Sequence, residues 1–131
     1  PNWLNTPGFR FHGNQAAQVL SKTEIQQVTI DKLIRLYGMP DLIKIDVEGY
    51  EETAVKGLTQ KTPELCFEWA EEMEQECIRT VHYLKGLGYT EFAIQHEDGY
   101  VYTPIDYRPI TEFNRSGLHT AKDDWGMVWV R

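Results

Sequence analysis

The sharpest change of hydrophobic pattern along the chain falls between Asp41 and Glu52. Leu42, Ile43, Ile45 and Val47 form a short apolar run of mostly branched side chains, too brief for a helix and too continuous for a strand with one face in water. It predicts a strand over 41–47 covered on both faces, as in a parallel sheet. The pattern then becomes helical: Tyr50, Ala54, Val55 and Leu58 predict a helix over 50–58. Between the two lie Asp46, Glu48 and Gly49. Glycine permits a tight strand-to-helix turn, and Glu51 and Glu52 favour the positive end of the next helix.

The same alternation continues on either side. A strand is expected over Ile25–Val28, and a helix from a Thr29 cap to Tyr37, stopped by Gly38 and Pro40. After Thr62 and Pro63, Leu65, Cys66 and Phe67 predict a strand over 64–69, parallel to the first, with Glu68 near its carboxyl end. Met73, Cys77, Val81 and Leu84 mark one stripe of a helix over 71–85. The acids Glu71, Glu72, Glu74 and Glu76 crowd its start and are expected to be solvated. Gly86, Leu87 and Gly88 end it. A strand over 89–94 comes next, and His96 to Gly99 turn the chain toward a hairpin partner at Tyr100–Thr103. Residues 104–124 carry no convincing period and read as a functional loop, a lid or disorder. Trp125–Val130 closes the chain as a strand in which Trp125, Met127 and Trp129 point one way, Val128 and Val130 the other. Residues 1–28 read as an irregular or edge-covering lead-in and 29–131 as the α/β domain.

Composition narrows the function classes. The 131 residues suffice for one domain and are few for a complete doubly wound enzyme. Thirteen basic against twenty acidic residues give a net charge of −7, which argues against binding nucleic acid or an anionic membrane surface. No apolar run is long enough to span a bilayer. Cys66 and Cys77 lack zinc spacing and are expected to be buried, reduced thiols. With no secretory signal pattern in Pro1–Arg10, a cytoplasmic setting is the default expectation.

Lys44 to Glu51, reading Lys, Ile, Asp, Val, Glu, Gly, Tyr, Glu, closely resembles the signature of the FkbM-type methyltransferases. Thr29, Ile30, Asp31 and Leu33 resemble the family's element before that signature. Leu58, Pro63, Phe67 and Glu68 resemble its element on the carboxyl-terminal side. The likeness covers roughly residues 28 to 90. It implies a partial Rossmann-like methyltransferase sheet, with parallel strands, an antiparallel last strand inserted between two earlier ones, and helices on both faces. It also implies S-adenosylmethionine as methyl donor and a sugar or other small hydroxylated acceptor. The glycine-rich donor loop of that family is not found: Gly86 and Gly88 come after a helix and precede a strand, the reverse of the order a nucleotide loop needs. The resemblance is therefore to the carboxyl-terminal half of the domain, and the chain alone is expected to be inactive.

The candidate catalytic residues are Asp46, Glu48 and Glu68. At the ligand-facing tips of parallel strands, one carboxylate can orient an acceptor hydroxyl or take its proton, and Asp46 with Glu48 can hold a divalent cation through oxygen. The blander reading makes Asp46 a helix cap, Glu48 a solvated acid and Glu68 a rim carboxylate. Lys44, within the apolar run, would be costly to bury unless paired. His96 and His119 are possible bases, though loop histidines are more often simply exposed. Tyr50, Trp69, Trp125 and Trp129 read as core or crevice wall. Two other function classes remain open: a non-catalytic α/β interaction or oligomerisation module, and a metal-dependent hydrolase. If the missing strands normally neighbour 41–47, that strand is an open edge, which self-association or residues 1–28 would cover.

Overall fold

The computed structural model describes residues 23–97, 105–118 and 125–131. In chain order the elements are α1 (Ile30–Tyr37), β1 (Leu42–Ile45), α2 (Glu51–Val55), β2 (Glu64–Ala70), α3 (Glu74–Gly86), β3 (Glu91–His96), β4 (Arg108–Pro109) and β5 (Trp125–Val130). The strands form one mixed sheet in the order β1-β2-β5-β3-β4. β1 and β2 are the parallel pair, and β5 lies antiparallel between β2 and β3. The expected insertion of a two-sided apolar last strand is what the structure shows.

Register sorts the side chains into two faces. Ile43 and Ile45 stand beside Leu65 and Phe67, which stand beside Val130 and Val128, which in turn meet Phe92 and Ile94. This face carries the buried cluster, completed by Val55 and Leu58 after β1 and by Cys77, Val81 and Leu84 of α3. Ile30 and Ile34 of α1 pack against the same cluster. Helices were expected on both faces; among the described residues those of the cluster lie on this one. Lys44, Cys66, Glu68, Met127 and Trp129 share the opposite face. At Gly126 β5 leaves no room for a side chain: a Cβ there would sit 1.9 Å from the carbonyl oxygen of Gln95, so only glycine lets the strands close.

Several expectations are corrected. Residues 25–28 form no strand, and Ile25 and Val28 are exposed. β1 is not covered on both faces: of its four residues only Ile45 is buried, and among the described residues β1 also ends the sheet, with a strand on one side only. Lys44 is consequently exposed and pays no burial penalty. The helix foreseen over 50–58 is the shorter α2, although Leu58 is fully buried. β3 begins two residues later than the pattern suggested, because Tyr89 is withdrawn into the core with its hydroxyl on Thr62. Of the stretch 104–124, the described part contains β4 and two 3₁₀ turns, Ile110–Glu112 and Arg115–Gly117. Ile110 and Leu118 are buried in the main cluster, so this part is a fixed component of the core and not a lid. The hairpin partner at 100–103 and His119 lie outside the described residues, as does most of the lead-in. Among the described residues no helix is long and apolar enough to cross a membrane.

Candidate functional site

Two features of the sheet bring the acids together. Parallel pairing sets Lys44 beside Cys66 and Ile45 beside Phe67, so one step further Asp46 arrives level with Glu68. Alternation then directs both side chains to the face that carries Lys44. Lys44, two residues before Asp46 on that face, places its Nζ 3.4 Å from Oδ2 of Asp46.

Glu48 joins them because the chain reverses there. Its φ is 51°, in the left-handed region, and Gly49 comes next at 94°. A side chain in that conformation costs about 1–2 kcal/mol relative to glycine, and strain of this kind concentrates at functional sites. The turn is braced from below by Glu51. Its Oε1 accepts the Val47 amide at 3.0 Å and its Oε2 the Gly49 amide at 3.0 Å. Glu51 is buried, whereas Asp46 and Glu48 are exposed and Glu68 half-buried.

One oxygen each of Asp46, Glu48 and Glu68 lies within 4.8 Å of the others. That span is about twice a calcium–oxygen bond, so the three could ligate one hard cation from different sides, and a smaller ion would require them to draw in. Without a cation, three acids so close can hold and take a proton from a neutral hydroxyl. Asp46 and Glu48 do not cap the helix: α2 begins after Tyr50 with no side-chain cap, and the carboxylate serving the turn is Glu51.

The other candidates lie elsewhere. His96 packs edge-on against Trp69, ring centroids 6.2 Å apart, and both project from the helix-bearing face, away from Glu68. Cys66 and Cys77 are buried and in no disulfide, and burial pushes the Cys77 thiol far above its ordinary range. Glu74, expected to be solvated, is buried and held by Arg115 at 2.9 Å. Beside β1 opens a groove of about 600 Å³ between α1 and the helix-bearing face, lined chiefly by Ile30, Leu33, Ile34, Tyr37 and Ile43, with Lys44 and Asp46 at its polar rim.

The family model for the methyltransferase FkbM domain matches residues 4–108, well over half the chain. The chain belongs to the FkbM methyltransferase family. Comparisons with curated proteins and with solved structures found no match. The match extends on both sides of the 28–90 region in which the resemblance was legible, and it takes in residues outside the described set. An FkbM-type methyltransferase implies an S-adenosylmethionine-type donor. At the strand-to-helix turn the Val47 and Gly49 amides are taken by Glu51 and are not open to a ligand.

Proposed function

We propose that the chain supplies the acceptor side of an S-adenosylmethionine-dependent FkbM methyltransferase that methylates a hydroxyl oxygen of a sugar or another small hydroxylated molecule. The convergence of Asp46, Glu48 and Glu68 at the tips of two parallel strands, inside a family match, carries this reading. Ligands of open α/β sheets sit at such tips. An acceptor hydroxyl placed there donates its hydrogen bond, and then its proton, to one carboxylate, while the other two accept from neighbouring hydroxyls of the same acceptor and so orient it. Holding the hydroxyl in line contributes most of the acceleration, and proton transfer adds to it. The strained Glu48 and its brace Glu51 hold the acid in place before the acceptor arrives. A divalent cation on Asp46 and Glu48 would serve the same end by polarising the hydroxyl. A cytoplasmic setting goes with this reading, supported by two buried thiols with no disulfide between them.

Calorimetric titration with S-adenosylmethionine, and separately with magnesium or manganese, tests it. Saturable heat with the donor is the expected result, its contacts lying outside the turn at 47–51 whose amides Glu51 occupies. Heat with the metal alone would replace the reading with a metal-dependent hydrolase, and silence toward both would leave a non-catalytic α/β module.

A further inference from the structure

Lys44 is the one cation that β1 carries, and it stands on the face of the acid trio. Its Nζ lies 3.4 Å from Oδ2 of Asp46, with both side chains about half exposed. The parallel register sets Lys44 beside Cys66, one pleat below Glu68. A pair this exposed adds little to stability, so stability alone does not account for an ammonium among three acids. Carboxylates whose oxygens come within 4.8 Å of one another accumulate negative charge that something positive must offset. Two groups can do this: a divalent cation drawn from solution, or an ammonium that the chain itself supplies. They compete for the same oxygens. A cation ligated by Asp46 would have to displace the ammonium from that carboxylate or sit next to it, and like charges so close repel.

The chemistry of a hydroxyl acceptor calls for the same positive charge. Ionised carboxylates only accept hydrogen bonds, so the trio by itself binds a hydroxyl through its proton and offers its oxygen no donor. As that proton passes to a carboxylate, negative charge grows on the oxygen amid groups of the same sign. A positive charge already fixed at the trio stabilises the oxygen through that change, as a bound metal would.

We propose that Lys44 is the resident cation of the trio: it positions Asp46, offsets the charge of the acids and keeps a divalent metal out, so that the site acts on a neutral hydroxyl without one. This deepens the methyltransferase reading and rests on it for the identity of the acceptor. Manganese titration followed by water-proton relaxation tests it on the parent chain and on K44Q and K44R. Lys44 is half exposed, so neither replacement disturbs the core. Removing a unit positive charge beside a divalent ion should tighten manganese binding by K44Q about tenfold or more. K44R keeps the charge and should bind manganese as the parent does. Adding D46N to K44Q should abolish the gain, which locates the metal at the trio and not elsewhere on an acidic chain. A K44Q variant that binds manganese no more tightly than the parent would overturn the proposal. So would a gain that survives D46N, or a K44R variant as tight as K44Q, which would trace the effect to the shape of lysine and not to its charge. No methyl donor enters this test. If K44Q gains the metal while donor titration is silent, the methyltransferase reading fails alone; if the donor binds and K44Q gains nothing, the role of Lys44 fails alone.

Discussion

Glu51 and Glu52 stand side by side in the sequence with the same chemistry and end in opposite surroundings. Glu52 reaches outward to Arg79 and Lys56, while Glu51 turns under the chain to hold the Val47 and Gly49 amides. A signal for the difference was present: Glu51 precedes the buried Val55 by four residues, one helical turn, and so lies on the inward stripe. Read only as acids favoured at a helix start, the two looked alike. Asp46 and Glu48 were legible as a pair because apolar residues bounded them and a glycine came directly after. That Glu48 adopts a left-handed conformation was not legible, since the sequence shows where a turn is needed but not which residue carries the strain. Replacing Glu51 by Gln keeps the shape and removes the charge that both amides share. Hydrogen bonds to a charged group contribute about 1.5–3 kcal/mol, and the E51Q variant should lose stability of that order in urea denaturation. Amide exchange at Val47 and Gly49 should quicken with it. An E51Q variant as stable as the parent, with both amides still protected, would remove Glu51 from its role beneath the site.

At the scale of elements, the strands were legible in type and the helices in phase, but the ties between elements were not. α2 and α3 are joined across their exposed surfaces by Glu52, whose carboxylate receives Nε and Nη2 of Arg79 at 3.1 and 2.9 Å, with Nζ of Lys56 at 2.8 Å. No periodicity announces a contact between residues 27 positions apart. The Arg79 hydrogen bonds, and after them that of Lys56, hold the Glu52 carboxyl below its ordinary range. The folded chain therefore binds this proton less tightly than the unfolded chain does. The stabilisation is complete above the ordinary carboxylate range of roughly pH 4–5 and is lost as pH falls through the lower value of the folded state. Thermal melts of the parent and of E52Q should differ by a constant interval from about pH 7 down to that range, and the interval should narrow below it. Arg79 is half exposed, so added salt should shrink the interval at neutral pH as well. A gap that is the same at acid and neutral pH would mean that the link between the helices contributes nothing through its charge.

For the molecule as a whole, the inserted final strand could be read from its own composition. Apolar residues on both sides of Trp125–Val130 require burial on both faces, and β5, between β2 and β3, has Met127 buried on one face and Val128 and Val130 on the other. The segment before it was opaque for the opposite reason. Its polar and proline-containing composition conceals two anchors, Ile110 and Leu118, that enter the same cluster as the strands. A third tie, from Arg115 to the buried Glu74, depends on a partner 41 positions away. If this segment were a lid, truncating an anchor would loosen it locally and leave global unfolding unchanged. Leu118 has no exposed surface and belongs to the cluster of Phe67, Val128 and Leu84, so the cavity left by L118A would open in the common core. Leucine-to-alanine changes at such positions cost about 2–5 kcal/mol. The L118A variant should shift the whole denaturation curve by an amount in that range, with fluorescence and circular dichroism transitions still coincident. An early, separate transition in L118A, with the main one unmoved, would return the segment to the status of a lid. It would also detach the carboxyl-terminal part of the fold from the sheet tips where the acids meet.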